Sequence, residues 1–295
     1  MLPFVWFDAI DALHHLKEIG AQCIEIAPRD VDHRYCSEDR FREYEKTVET
    51  LGLEPVQVHL PYRGLEGVDI GNLNDHIRAY SLEIILRAID YAHRLGVRCA
   101  ALHPGSQEAL EDPHVHQRIA RHVIDSCRTL HEYASGKGII LCVENMLAGR
   151  DKNKAPDPHA RPPEPAEKTY RFGSSAEDLL QIREAISDIS FCYDTGHALV
   201  NRQDLIAEIR KLGPSIAALH LNENDAVWDQ HLPPWKTDTV DWQEVIKVLK
   251  EIGYPEQGYL NLEIRRGDTF AESIAIAREG VEAGKRMERL YTETA

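Results

Sequence analysis

The chain has 295 residues, a length that is long for one ordinary domain but usual for a single α/β barrel. Its 34 Lys and Arg residues against 49 Asp and Glu residues give a formal net charge of −15 at pH 7. Proteins that bind the phosphate backbone usually present a basic surface, so this charge argues against a nucleic-acid partner. No apolar run reaches the roughly 18 residues that cross a membrane, and the six cysteines contain no CxxC pair. We therefore expect a cytoplasmic protein with free thiols and no membrane partner.

Strand-like segments alternate with helix-like segments along the chain, which is typical of βα units and a parallel sheet. Each strand is a short run rich in β-branched or other apolar residues. The eight predicted strands are Leu2–Trp6, Gln22–Ala27, Pro55–His59, Arg98–His103, Ile139–Asn145, Ile189–Asp194, Ile216–Asn222 and Gly258–Arg265.

The helical segments are amphipathic, and several of them stop at a glycine, the usual residue just past a helix. Gly20, Gly52, Gly96 and Gly213 occupy this position. The predicted helices are Asp8–Ile19, Arg40–Leu51, Asn74–Leu95, Val115–Ala134, Ala176–Ile186 (capped by Ser174 or Ser175), Asp204–Leu212, Asp241–Ile252 (capped by Asp241) and Thr269–Leu290.

Eight strands and eight helices favour a single-domain α/β fold over residues 1–295, a (β/α)8 TIM barrel, with a doubly wound open sheet as the alternative. Alternation within the strands supports the barrel, because apolar residues would face the helices while polar residues face the axis. Gln57 and His59 share the inward phase, and Glu25 fits it on the second strand. The same phase pairs Cys142 with Glu144, Cys192 with Asp194, Ala218 with His220, and Asn261 with Glu263.

One segment, at about residues 147–172, interrupts the alternation of strands and helices directly after the fifth strand. Five prolines make it unsuitable for a helix, and it is too long for a routine βα loop. Its position would place it over the mouth of the barrel. It is either a lid that contacts the substrate or a disordered surface insertion.

Several predicted strands end in a single histidine or carboxylate, in the part of a barrel where such folds carry their chemistry. Unpaired acids and imidazoles that converge on one rim are costly, and a divalent metal ion removes that cost. Imidazole and carboxylate donors suit Zn, Mn, Fe or Co, and the absence of cysteine argues against a structural zinc knot. The strand ends and the loop after strand seven contribute nine candidate ligands: His59, His103, Glu144, Asp194, His197, His220, Asp229, His231 and Glu263.

The order and spacing of these residues resemble the xylose isomerase-like TIM-barrel superfamily, which includes sugar isomerases and epimerases and the endonuclease IV-type AP endonucleases (AP endonuclease family 2). The resemblance runs from the second predicted strand to the final helix. It is carried by His59-Leu60-Pro61-Tyr62, His103-Pro104-Gly105, Val143-Glu144-Asn145, Asp194-Thr195-Gly196-His197-Ala198, His220-Leu221-Asn222, Asp229-Gln230-His231 and Glu263.

The resemblance implies roles for these positions. In the sugar epimerases, residues that match Glu144, Asp194, His220 and Glu263 hold a single metal ion, and the two glutamates act as an acid/base pair through an enediolate. In the nucleases, the positions of His59, His103, His197, Asp229 and His231 complete a trinuclear zinc site. The implied cofactor is therefore a divalent metal, zinc or manganese, in one to three ions.

Between the two reactions, the acidic balance of the expected rim loops favours a metal-dependent isomerase, epimerase or related lyase acting on a sugar, polyol or keto-acid. The alternatives are abasic-site cleavage by a zinc cluster and a metal-binding barrel without catalysis. The expected partner is a small carbohydrate-like molecule, and a homodimer is compatible with the sequence. Three residues are weaker substrate candidates: Tyr62; Trp235, which either stacks on a sugar or packs locally; and Arg265, which either meets an anionic group or forms a rim salt bridge.

Overall fold

The computed structural model describes residues 8–62, 67–105, 108–109, 112–150, 168–254 and 258–293. Six of its strands form one parallel sheet in the order β1-β2-β3-β5-β8-β9, and three form small antiparallel ladders in the order β4-β7-β6. The strands are β1 Cys23–Ile26, β2 Glu54–His59, β3 Cys99–Leu102, β4 Glu108–Ala109, β5 Ile140–Glu144, β6 Gly149–Arg150, β7 Lys168–Arg171, β8 Ser190–Asp194 and β9 Ile216–His220.

The helices follow the strands of the parallel sheet as predicted. Each helix from α1 to α8 begins after an Asp, Ser or Asn whose side chain accepts a hydrogen bond from a backbone N–H of the first turn. The described helices are α1 Ala9–Glu18, α2 Glu38–Leu51, α3 Asp75–Leu95, α4 Pro113–Ser135, α5 Ala176–Ala185, α6 Thr195–Val200, α7 Leu205–Leu212, α8 Trp242–Glu251 and α9 Phe270–Glu293.

The sheet separates two groups of buried apolar residues. Outward residues such as Val58, Val143 and Leu219 pack with the helices in the large core. A second, smaller cluster contains Cys142, Cys192 and Ala218 with their neighbours from β3. The predicted inward phase of these three residues is confirmed, because alternate residues of a strand face opposite sides of its sheet. All six cysteines are free, as expected.

The two terminal strands of the prediction have different outcomes. Leu2–Trp6 lies outside the described residues. The eighth predicted strand, Gly258–Arg265, is wrong as a continuous strand: it is reduced to a parallel bridge between Leu262 and Leu221. Beyond that bridge the backbone pairs with a loop instead of a strand, since Arg265 N donates to His231 O at 2.8 Å.

The predicted insertion is ordered at both ends. It contains β6 and β7, which pair antiparallel with each other, and β7 also pairs with β4. Residues 151–167 lie outside the described part, so the choice between a lid and a surface insertion stays a prediction. A further element was not predicted: the turn after β8 is the short helix α6, which Asp194 caps by accepting from His197 N at 2.7 Å.

Candidate metal centre

The candidate ligands lie at the carboxyl ends of the parallel strands. His59 ends β2, Glu144 ends β5, Asp194 ends β8 and His220 ends β9. Because these strands belong to one parallel sheet, their carboxyl ends lie at one rim. The structure brings all nine predicted side chains together there, in three groups whose ligand atoms lie within 4.8 Å of one another.

The central group consists of Glu144, Asp194, His220 and Glu263, all of which are buried. His220 lies in its middle. Its Nδ1 is 2.9 Å from Oε1 of Glu144, 3.2 Å from Oε2 of Glu263 and 4.0 Å from Oδ2 of Asp194. Three carboxylates around one imidazole nitrogen form a set of oxygen and nitrogen donors suited to a divalent transition metal.

The β2–β3 group consists of His59, His103 and Glu144. Oε2 of Glu144 lies 3.2 Å from Nε2 of His103 and 3.6 Å from Nε2 of His59. Tyr62 packs against both imidazoles, with ring centroids 4.4 Å from His103 and 4.9 Å from His59. Glu144 therefore belongs to two groups, with one carboxylate oxygen facing each.

The loop group consists of His197, Asp229 and His231. Oδ2 of Asp229 lies 3.0 Å from Nε2 of His231 and 3.6 Å from Nε2 of His197. His231 has a positive φ of 46°, an uncommon conformation for a residue other than glycine. The rings of His231 and His197, the latter in α6, have centroids 6.1 Å apart.

A buried carboxylate anchors the loop that carries this group. Glu223 is fully buried, and its Oε2 accepts from the backbone N–H groups of Lys236 and Thr237 at 2.9 and 2.8 Å. Its Oε1 accepts from Nε1 of Trp242 at 2.6 Å. The backbone of Glu223 also exchanges two hydrogen bonds with Leu232. Glu223 thus ties both sides of the loop to the barrel.

The electrostatics show how the groups balance one another. Burial opposes the charge of Glu144, but the neighbouring His220 and His103 outweigh burial and hold the pKa of Glu144 well below its usual range. Burial opposes the charge of His220, but Cys192 and the carboxylates of Glu25, Glu263 and Glu144 raise its pKa well above the usual value. Burial likewise opposes the charge of His231, yet Glu263 and Asp229 raise its pKa to about 10. His220 and His231 thus supply part of the positive charge that balances these acids.

Several buried atoms of the groups accept or donate no hydrogen bond within the described residues. They are Oε2 of Glu144, Oδ1 of Asp229 and Nδ1 of His231. Buried polar atoms are normally paired, and all three belong to residue types that ligate divalent metals. The donor set therefore fits a metal centre.

A cavity of about 250 Å³ opens onto the three groups. Its wall is completed by Tyr62, Met146, Leu147 and Arg171. Leu147 and Arg171 lie at the two ends of the predicted insertion. The sequence predicts that this segment lies over the barrel mouth. It does not indicate Arg171 as a residue of the cavity, because nothing in the local sequence distinguishes Arg171 from other arginines.

Two weaker substrate candidates are not among the residues that line this cavity. Trp235 packs against Trp242, with ring centroids 6.0 Å apart, and the guanidinium carbon of Arg286 lies 3.9 Å above the Trp235 ring. The Arg265 side chain is exposed. Alternation with Asn261 and Glu263 would place Arg265 inward, but the strand pairing of this segment is reduced to the Leu262 bridge.

Residues 13–287 match the family described as xylose isomerase-like TIM barrel. An uncharacterised protein of Methanocaldococcus jannaschii is 26% identical over 231 residues, covering 77% of this chain and 70% of that protein. A D-tagatose 3-epimerase-like protein has a TM-score of 0.71 at 22% identity, covering 92% of this chain and 90% of its own. The 3-keto-D-glucoside 4-epimerase of E. coli has a TM-score of 0.72 at 15% identity, covering 95% and 96%. These likenesses confirm the predicted TIM-barrel fold.

No helix in the described part of the chain combines the length and the apolar character that a membrane span needs.

Proposed function

The chain belongs to the xylose isomerase-like TIM-barrel family, and we propose that it is a divalent-metal-dependent isomerase or epimerase, or a related lyase, of a small sugar, polyol or keto-acid. One observation carries the proposal. Glu144 and Glu263 face each other across Nδ1 of His220, at 2.9 and 3.2 Å, on the floor of a cavity large enough for a small substrate. The similar folds titled as sugar epimerases support the same choice.

In this proposal Glu144, Asp194, His220 and Glu263 hold the ion, with zinc or manganese as the metals that best suit the donors. Once bound, the ion would polarise the substrate carbonyl and its adjacent hydroxyl, which lowers the cost of an enediolate. Glu144 and Glu263 act as the acid/base pair: one removes a proton from the carbon next to the carbonyl, and the other returns a proton. Asp194 is held by its cap on α6 and serves as a ligand only.

The cavity wall suits a small polar molecule with carbon surface. Tyr62, Met146 and Leu147 offer apolar contact on one side, and Arg171 offers a planar donor of hydrogen bonds. Such a mixture of apolar surface and a few directed polar groups is typical of sites for small ligands.

A second candidate function is hydrolysis of a phosphodiester by a three-metal centre, as in the AP endonucleases. It is favoured by the completeness of the β2–β3 group and the loop group around the same Glu144. Ligation of a further ion by Oε2 of Glu144 would occupy the oxygen that otherwise remains for proton transfer. The number of bound ions therefore separates the two functions.

The number of bound ions also changes the charge that a substrate meets. Among the described residues that line the cavity or contact the groups, carboxylates outnumber the one guanidinium: Glu25, Glu144, Asp194, Asp229 and Glu263 against Arg171. Each added divalent ion makes the charge of the site more positive, so a three-ion centre attracts a phosphate more strongly than a one-ion centre does.

The deciding experiment combines metal analysis with proton exchange. The isolated protein is analysed for bound metal and then incubated with D-tagatose, D-psicose and D-fructose, and with their phosphates, in D2O. We expect one bound ion and incorporation of deuterium next to the carbonyl, which Glu144→Gln and Glu263→Gln abolish. Glu208→Gln is the matched control: this half-buried carboxylate accepts from Ala176 N at 2.9 Å, away from the cavity.

Undiminished exchange in either active-site variant would refute the acid/base pair. Three bound ions, together with incision of an abasic duplex that a chelator stops, would establish the second candidate instead. Bound metal with neither reaction would leave a metal-binding barrel without catalysis.

A further inference from the structure

One buried carboxylate contacts the metal centre without lining the cavity. Glu25, on β1, is 6% exposed, and its Oε1 lies 2.9 Å from Nε2 of His220. Glu25 is not among the residues around the cavity of about 250 Å³. Its contact with the candidate centre is made through His220.

The imidazole of His220 has acids on both sides. On one side its Nδ1 faces Glu144 and Glu263 of the central group. On the other side its Nε2 faces Glu25. An imidazole that ligates a metal through Nδ1 must carry its proton on Nε2, and the partner of that proton selects the ring orientation.

A second neighbour, Gln57, would favour the other position of this proton, on Nδ1. Nε2 of Gln57 lies 2.8 Å from Nε2 of His220 and also donates to Oε1 of Glu25 at 2.9 Å. If Gln57 donated to the imidazole, the ring proton would sit on Nδ1, and Nδ1 could not ligate. An ionised carboxylate only accepts hydrogen bonds, so Glu25 draws the proton to Nε2 and leaves Nδ1 facing the central group.

Glu25 is itself fixed from three other segments of the barrel. Gln57 on β2 donates to its Oε1, and Asn261 donates to its Oε2 at 2.9 Å. Together with His220 on β9, these contacts occupy both carboxylate oxygens. The carboxylate cannot turn away from the imidazole without losing hydrogen bonds in a buried site, where unpaired groups are costly.

We propose that Glu25 is a positioning residue that keeps the His220 proton on Nε2 and so presents Nδ1 to the ion, an inference that rests on the proposed metal-binding function. Removal of such an outer partner commonly lowers metal affinity about 10- to 100-fold. Glu25→Leu removes the acceptor and the charge. Glu25→Gln keeps an oxygen that can accept from Nε2–H, so its loss of affinity is smaller.

The test measures Zn²⁺ affinity by calorimetry for the wild type, Glu25→Gln and Glu25→Leu. Asp32→Asn is the control, because Asp32 is equally buried and its carboxylate pairs with Arg34 instead of a candidate ligand. We expect affinity to fall in the order wild type, Gln, Leu, and to be unchanged in the control. Circular dichroism and urea unfolding in EDTA confirm that each variant is folded before metal is added.

Nitrogen-15 NMR supplies a readout that a merely structural role would not move. In the metal-free wild type we expect a slowly exchanging proton on Nε2 of His220, which Glu25→Gln weakens and Glu25→Leu removes. Equal Zn²⁺ affinity and an unchanged Nε2–H signal in both variants would overturn the inference. A wild type that binds no Zn²⁺ would instead refute the proposed function, so the two failures are distinguishable.

Discussion

The side-chain amide of Asn145 is paired with the backbone of Asp194 through two hydrogen bonds. Oδ1 of Asn145 accepts from Asp194 N at 2.6 Å, and Nδ2 donates to Asp194 O at 2.9 Å. The Asn145 carbonyl oxygen also lies 2.8 Å from Nδ1 of His197. Asn145, the residue that follows β5, thus sets the positions of two candidate ligands: Asp194 at the end of β8 and His197 in α6.

We expect Asn145→Ala to lower the free energy of unfolding by about 2–4 kcal/mol, because it leaves two buried backbone groups of Asp194 unpaired. Urea unfolding in EDTA measures the change. Asn74→Ala is the matched control: that amide caps α3 through one exposed hydrogen bond to His76 N, and its loss costs about 1 kcal/mol. An Asn145 variant no less stable than the Asn74 variant would contradict the prediction.

Gly196→Ala should disturb the central group through Asn222. A Cβ on Gly196 would lie 1.9 Å from Oδ1 of Asn222, whose Nδ2 donates to both carboxylate oxygens of Asp194. Since Asn222 must move, we expect a loss of about 1–3 kcal/mol of stability and weaker Zn²⁺ binding.

Gly136→Ala provides the comparison for that substitution. Its Cβ would meet nothing closer than 3.5 Å, and its φ of −61° suits alanine. We expect stability and Zn²⁺ binding close to those of the wild type. If both alanine variants bound Zn²⁺ equally well, Gly196 would have no part in shaping the site.

Glu223→Gln should weaken the loop group selectively. The amide would place an NH2 against donors that now point at a carboxylate oxygen, so we expect a loss of about 2–4 kcal/mol of stability. With Zn²⁺ in excess of the one ion expected at the central group, binding to the group of His197, Asp229 and His231 should weaken more than binding to the central group.

Asp178→Asn controls for the loss of a buried carboxylate elsewhere. Asp178 accepts from the Tyr170 hydroxyl and from Gly173 N, both at 3.1 Å. We expect this variant to be destabilised while its Zn²⁺ titration matches the wild type. If the Zn²⁺ titration of Glu223→Gln matched that of the wild type, the loop that carries Asp229 and His231 would not need the Glu223 carboxylate to keep its conformation.

Asp30 gives the stability a specific pH dependence. Burial raises the pKa of Asp30 from 3.8 to about 7; Asp8 adds to the rise, and Arg40 opposes it. The folded state therefore holds this proton more tightly than the unfolded state, and stability falls as pH rises from about 4 to about 7. Asp30→Asn removes that fall.

We expect Asp30→Asn to be about 1–2 kcal/mol more stable than the wild type at pH 8 and equal to it near pH 4, allowing for the partial exposure of the side chain. Urea unfolding at a series of pH values measures the difference. Asp39→Asn is the control, since that side chain is 97% exposed. A constant difference across the series would contradict the prediction.

Much of the architecture follows from the sequence alone. Apolar runs ended by histidine or carboxylate, and amphipathic segments that stop at glycine, are local patterns that a single sequence displays. They predicted the barrel, the inward phase of Cys142 and Cys192, and the nine side chains that meet at the rim. Whether those side chains ligate metal stays a prediction.

Other features depend on contacts between distant parts of the chain. Glu25 and His220 are 195 positions apart, and no local pattern indicates that their side chains touch. The sharing of Glu144 between two groups, the packing of Trp235 on Arg286, and the presence of Arg171 at the cavity were likewise decided only by the tertiary structure. The reason is physical: residue type and strand phase set which way a side chain points, but the closing of the sheet determines what it meets.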